Sequence, residues 1–305
     1  MTSNQWSCEF IGYVQTFIFG CFFTSAFAVL TLFAADLALK HVELSSLLDY
    51  GKLIGKATPL EDSLLNRFVY WRVPKRWFVH FYITGLLSNA LLLMNGVWPC
   101  GAFQPIRWSL VSLHLVRRTV ECISMQSIKS RSSMANKVEC ESMMHVAHYA
   151  AGMAFYVGMP CAIWIDGCAS QSCLAITAKQ NEPNGHWLSM FLLFVWIFAT
   201  VEQGMAHEHL RRLKTRLGGS GYELPTARWF QYVSCPHYTA EILIYWSLYS
   251  LSIKDTILWY PASLGVLVWV VCDLTVSAYR QHRWYTSQYS SKIPANWKRL
   301  VPFVF

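Results

Sequence analysis

Seven apolar stretches, each long enough or nearly so to cross a bilayer, divide this sequence. They run Phe10 to Ala35, Trp77 to Trp98, Trp108 to Ser127, Ser142 to Ile165, Trp187 to Ala206, His237 to Ile253 and Thr256 to Ala278. In hydrocarbon a segment has to satisfy its own backbone N–H and C=O groups, so such runs fold as helices. The expected fold is all-α: a polytopic membrane protein with about seven transmembrane helices. With 54% hydrophobic and 14% charged residues in a chain of 305, the composition does not suit a soluble protein. The first run is expected to remain as an anchor, because no basic residue precedes it and it outlasts the apolar core of a cleaved signal.

Basic residues give this expected bundle a direction. Lys40, Lys52, Lys56, Arg67, Arg72, Lys75 and Arg76 follow the first run, and Lys129, Arg131 and Lys137 precede the fourth. Arg211, Arg212, Lys214, Arg216 and Arg228 follow the fifth, and Arg280, Arg283, Lys292, Lys298 and Arg299 follow or end the seventh. The alternate loops hold only Arg107, Lys179 and Lys254. Positive charge collects on the cytosolic side, which predicts a lumenal N-terminus and a cytosolic C-terminus. The net charge of +8 is then mostly this bias plus affinity for anionic headgroups, and nucleic-acid binding is not expected from it. Ten cysteines are scattered without a CxxC pair. Cys168 and Cys173 fall in a stretch read as a lumenal loop, where a disulfide is permitted but not established by spacing.

Polar residues inside the runs are costly, so they mark candidate function. His237 and Glu241 are spaced i, i+4 at the start of the sixth run, on one face of a helix beginning just after Pro236. They serve either as a buried capping pair or as a ligand grip. In the third run His114, Arg118 and Glu121 recur at i, i+4, i+7, with Arg117 beside them. Either Arg118 and Glu121 satisfy each other, or the three line a cavity open to the cytosol. Gln203, His207 and Lys214 form a polar lane out of the fifth run, suited to phosphate and ribose groups. Ser277, His282 and Tyr285 mark where the last helix leaves the membrane.

The segment from Asp36 to Arg76 is too rich in Leu and aromatics for a free linker. It reads as a cover over the site, with Tyr50 and Lys52 reaching a ligand, or as a helix lying on headgroups. Histidines at 145, 148 and 207 are too isolated for a histidine-box metal site, so no metal is expected. GGSGYELP lacks GxGxxG and no strand–helix alternation surrounds it, which argues against a Rossmann site.

Taken together, YGK at Tyr50, VPKRWFVHFYI at Val73, LHLVRRTVEC at Leu113, MMHVAHY at Met143, FQYVSCPHYTAEILIY at Phe230 and the terminal QHRWY with KRLVPFVF resemble the steroid 5-alpha-reductase family, closest to its polyprenol reductase branch. The resemblance covers most of the chain. It implies a seven-helix enzyme of the endoplasmic reticulum membrane that takes hydride from NADPH. Residues 1–141 would form the substrate side, and residues 142–305 the cofactor side. The family's cofactor positions fall on Gln203, His207, Lys214, His237, Glu241, Ser277 and Tyr285, with Arg118 from the third run. Several depart from steroid-reducing members: His237 replaces Asn, His207 replaces Asp and Ser277 replaces Arg. Leu115 stands where those members carry the tyrosine that contacts the substrate carbonyl, leaving the proton donor unassigned.

Hydride needs an electron-poor carbon, and an allylic alcohol presents none, whereas an enal presents its β-carbon. The expected reaction is NADPH-dependent reduction of the terminal α,β-double bond of polyprenal, between polyprenol and the dolichol used in protein N-glycosylation. His114, Arg118 and Glu121 are the candidates for enolate stabilisation and proton delivery, with Tyr50 in reserve. The expected partners are a long polyprenoid lipid and the membrane, and no obligate protein partner is inferred. The alternatives are reduction of 3-oxo-4-ene steroids, a membrane methyltransferase of the prenylcysteine type, and a non-catalytic lipid-binding scaffold. The methyltransferase family has a similar C-terminal signature, but with His before Pro, whereas here Pro236 precedes His237.

Overall fold

The computed structural model describes residues 8–39, 71–94, 104–134, 142–174, 185–217, 222–253, 261–294 and 296–301. Tyr50, Lys52 and most of the expected cover lie outside these residues. Each apolar run appears as one helix: α1 (Cys8–Leu39), α2 (Phe78–Met94), α3 (Gln104–Met134), α4 (Val146–Leu174), α5 (Gly185–Arg216), α6 (Pro236–Ile253) and α7 (Ala262–Gln288). Five of them, α1, α2, α4, α5 and α7, are long and apolar enough to cross a membrane. The other two are the helices with polar insertions, Arg117, Arg118 and Glu121 in α3 and the His237 to Glu241 opening of α6.

Two expectations about loops are corrected. α5 does not stop at Ala206 but continues to Arg216, so Arg211, Arg212, Lys214 and Arg216 ride on its last turns. α4 likewise continues to Leu174, which puts Cys168 and Cys173 on a helix. Five residues along an α-helix separate two Cα atoms beyond disulfide reach, so this pair is not bridged to each other.

A small antiparallel pair was not expected. β1 (Arg72–Pro74) pairs with β2 (Met143–His145) in the register Arg72 to His145, Val73 to Met144 and Pro74 to Met143. Backbone bonds from Lys75 N to Ser142 O (2.8 Å) and from Val146 N to Trp71 O (3.0 Å) extend it. The pair buries Val73 and Met144 against Phe81 and sets the starts of α2 and α4 side by side. His145, expected inside the fourth helix, instead ends β2 and caps α4. Its Nδ1 accepts the Ala147 N–H at 3.0 Å.

α4 is the central helix, packing against α1, α2, α3, α6 and α7, while α5 lies along α6 and α1 along α7. Close approach needs small residues at the crossings, as is usual between membrane helices. A Cβ on Gly152 would sit 2.6 Å from the Phe81 ring of α2, and one on Gly265 would sit 3.1 Å from the Phe19 backbone of α1. Polar staples then fix these crossings. Asp166 of α4 accepts the Ala262 N–H (2.8 Å) and the Ser263 N–H (3.0 Å), capping α7, and also takes Gln15 Nε2 of α1 at 2.7 Å. Arg280 Nη1 of α7 meets Asp36 Oδ2 of α1 at 2.7 Å. Asn89 of α2 donates to Ser112 of α3 at 2.8 Å.

Candidate functional site

Three helices bring the polar insertions to one place. On α3 the i, i+4, i+7 spacing does put His114, Arg118 and Glu121 on one face, and Arg117 joins them. Glu121 is the joint: Arg117 Nη1 reaches its Oε1 at 2.5 Å, Arg118 Nη1 its Oε2 at 2.5 Å, and His207 Nδ1 of α5 its Oε2 at 2.7 Å. Arg118 also stands 2.7 Å from His207 Nδ1.

A second carboxylate completes the network from α6. Glu241 Oε1 lies 3.3 Å from His114 Nε2, and its Oε2 accepts from Gln203 Nε2 of α5. The other end of Gln203 accepts from Arg117, so one amide ties α3 to α6. Gln203 also bonds the His237 carbonyl at 3.3 Å, and the His237 ring lies 5.5 Å from that of His207. Two arginines and two carboxylates balance in formal charge, with three histidines among them. The His114 end is closed, at 2% side-chain exposure, whereas Arg117, Arg118, Glu121 and His207 keep 18–21%. The cluster therefore opens at the end of α3 and α5 and the start of α6.

Tyrosines close the inner side. Arg118 Nη2 donates to the Tyr82 hydroxyl of α2 at 2.7 Å, with its guanidinium 5.1 Å from that ring's centroid. Tyr156 of α4 packs edge-on to Tyr82 at 5.1 Å, and Tyr245 of α6 edge-on to His114 at 6.0 Å. Leu115 is fully buried in this wall.

Outside the opening lies an aromatic ladder. Lys214 Nζ sits 5.2 Å over the Tyr222 ring, Tyr222 meets Trp284 at 5.4 Å, Trp284 meets Tyr285 at 5.3 Å, and Tyr285 meets Trp297 at 5.6 Å. Trp297 Nε1 donates to the Phe230 carbonyl at 2.5 Å, and the Phe230 ring is 6.1 Å from His237. The ladder is thus continuous with the inner cluster. Residues 298–300 fold back beside it, with Ser234 N bonded to Lys298 O at 2.8 Å and Thr239 Oγ1 to Leu300 O at 2.6 Å.

Of the residues singled out from sequence, His114, Arg118, Glu121, Gln203, His207, His237 and Glu241 share the inner network. Lys214 and Tyr285 belong to the outer ladder. Ser277 is buried on α7, two turns before Tyr285. Tyr50 lies outside the described residues. Sequence reasoning passed over Tyr82, Tyr156 and Tyr245 and noted Arg117 only as a neighbour. Tyr245 carried a readable signal, one turn after Glu241 on the same face. Tyr82 and Tyr156 carried none, because a tyrosine in an apolar run reads equally well as core or interface.

The chain is similar to known proteins in two ways. The family model described as 3-oxo-5-alpha-steroid 4-dehydrogenase matches residues 143–305. The polyprenal reductase of Xenopus laevis is 26% identical over 269 residues, 77% of this chain and 79% of that protein. That of Homo sapiens is 26% identical over 264 residues, 76% and 78% of the two chains. That of Caenorhabditis elegans is 29% identical over 294 residues, 85% and 86% of the two chains.

Proposed function

The chain belongs to the 3-oxo-5-alpha-steroid 4-dehydrogenase family, and from that membership we propose that it reduces the terminal α,β-double bond of long-chain polyprenal with NADPH, on the route from polyprenol to dolichol and protein N-glycosylation. As an oxidoreductase with several membrane-length helices it meets its lipid in the bilayer. We place it in the endoplasmic reticulum membrane with seven spans, the N-terminus lumenal and the C-terminus cytosolic. Residues 1–141 bring the substrate and residues 142–305 the cofactor. The observation that carries the reading is the buried network in which Arg118 and Glu121 of α3 meet His207 of α5, while Gln203 bridges α3 to Glu241 of α6.

The donor set fits a reduced nicotinamide dinucleotide. Gln203, His237 and Glu241 offer the mixed donors and acceptors that a carboxamide needs. Lys214 and the basic last turns of α5 offer charge for phosphates, and Tyr285 with its aromatic neighbours offers a stacking surface, with Ser277 beside the path. When bound, the cofactor supplies a hydride. Arg118 then supplies the positive charge that favours negative charge developing on the substrate oxygen, and Glu121 keeps both arginines and His207 in place. His114, oriented by Glu241, and Tyr50 are the proton-delivery groups.

The test is product analysis by mass with purified protein in detergent. Polyprenal with NADPH should lose one double bond, and polyprenol with NADPH should not react. Efficient reduction of the alcohol would overturn the mechanism, and preference for 3-oxo-4-ene steroids would move the substrate to the steroid class. NADPH, and not S-adenosylmethionine, should raise the melting temperature; the opposite pattern would replace reduction with methyl transfer.

A further inference from the structure

Glu121 is a poor partner for an enolate, because its carboxylate accepts from two arginines and a histidine and would repel a second anion. The α3 position that could bring a phenol carries Leu115, fully buried. Around that leucine the other helices supply hydroxyls. Tyr82 is one turn before Gly85 on α2, and a Cβ on Gly85 would touch both Leu115 and the Tyr156 ring at 3.2 Å. The Tyr82 oxygen accepts from Arg118 at 2.7 Å, and its ring packs edge-on against that of Tyr156 at 5.1 Å. Tyr82 is thereby polarised, which makes its own O–H a stronger donor. Tyr245 differs: its hydroxyl is buried and has no hydrogen-bond partner among the described residues, although Glu241, Tyr82 and Arg118 all lie within electrostatic reach. A buried phenol without a partner is costly unless a ligand supplies the acceptor.

We propose that the hydroxyls of Tyr82 and Tyr245 receive the carbonyl oxygen of the substrate, Tyr82 held by Arg118 and Tyr245 completed only when that oxygen arrives. The inference rests on the reductase reading above and names its oxyanion donors. The β-carbon of the enal gains a C–H bond with the hydride's electron pair. The C=C π pair shifts to the bond between the α-carbon and the carbonyl carbon, and the carbonyl π pair moves onto oxygen, where the two hydroxyls hold it. The oxygen pair then returns to the C=O bond as the α-carbon takes the proton delivered by the His114 and Tyr50 groups, which regain it from solvent. The sum is enal, NADPH and one proton to saturated aldehyde and NADP+, with both tyrosines unchanged. Arg118 is on this view a positioning residue for Tyr82.

The experiment compares purified Tyr82→Phe and Tyr245→Phe with the unaltered protein. Each should lose at least about tenfold in kcat while keeping the NADPH-induced rise in melting temperature. Without cofactor, polyprenal should raise the melting temperature of the unaltered protein more than an isoprenoid hydrocarbon lacking the aldehyde does, and that difference should vanish in both variants. Unchanged kcat in either variant, or persistence of the aldehyde-specific shift, overturns the pair. Should Tyr82→Phe fail to fold, 3-fluorotyrosine at position 82 keeps the shape and acidifies the phenol. The basic limb of the pH–rate profile should then move to lower pH, and an unmoved limb overturns the role of Tyr82. If the unaltered protein does not reduce polyprenal at all, the reductase reading falls and this inference with it. If it does and the variants match it, only the two hydroxyls fall.

Discussion

Glu121 concentrates the risk of the site in one side chain, since two arginines and a histidine depend on it. Glu121→Ala leaves both cations without their carboxylate, a loss on the order of 3 kcal/mol when buried and less here because the residue keeps 21% exposure. The melting temperature in detergent should fall clearly for Ala and less for Glu121→Gln, which retains an acceptor for Arg117. Glu241 poses a different question. Glu241→Gln keeps the shape that Gln203 and His114 pack around, so NADPH affinity should fall by about tenfold with little change in the melting temperature of the cofactor-free protein. Loss of stability with NADPH affinity intact would make Glu241 a capping residue and nothing more. The polar half of this site was legible because charge in an apolar run has few explanations: His114, Arg118 and Glu121 announced themselves by spacing, and so did His237 with Glu241. Which carboxylate serves which arginine was not legible, since that depends on how α3, α5 and α6 face one another.

Helix α4 shows the same division one level up. Its apolar run foretold a helix, but not that it would sit at the centre, because centrality comes from its neighbours and not from its own composition. Asp166 and Gly152 do that work, and each makes a prediction. Asp166→Ala removes the cap from α7 and the partner of Gln15, and should cost about 2 kcal/mol. Asp166→Asn should cost less, because it keeps an acceptor for the α7 N-terminus and can donate to the buried Gln15 Oε1. Equal losses in thermal melts would show that charge, not geometry, fixes this junction. Gly152→Ala drives a methyl into the Phe81 ring and should cost about 1–3 kcal/mol. It should also lower turnover, since Tyr82 and Tyr156 meet across the same crossing. The β1–β2 pair was hidden from sequence for a physical reason. Three residues containing Pro74 carry no strand periodicity, and their partner arrives only at Met143. Helix ends were hidden too: α5 runs on to Arg216 through residues whose polarity reads as loop, yet Glu208 braces Arg211 at 2.5 Å and Arg212 at 2.7 Å along that last stretch.

At the scale of the whole molecule the prediction concerns sidedness. A glycosylation acceptor inserted in the segment between α4 and α5 should be modified in microsomes, and one inserted between Arg216 and Pro236 should not. The reverse pattern would place Lys214 and the aromatic ladder in the lumen, away from cytosolic NADPH, and would sink the arrangement. This orientation rests on charge bias in the sequence, which depends on counts in loops and not on contacts. What loops cannot reveal is the order in which the bundle closes, and here the Gln15 to Asp166 bond has a consequence of its own. Those partners are 151 residues apart in sequence, and the α7 end of the same junction lies a further 96 beyond Asp166. At ordinary rates of synthesis α1 emerges roughly 10–30 s before α4 can offer Gln15 an acceptor. For that interval the Gln15 amide lacks the Asp166 acceptor that it holds in the finished protein. Helix α1 is therefore made early relative to its partners and settles late, held waiting until α4 and α7 arrive to complete the junction.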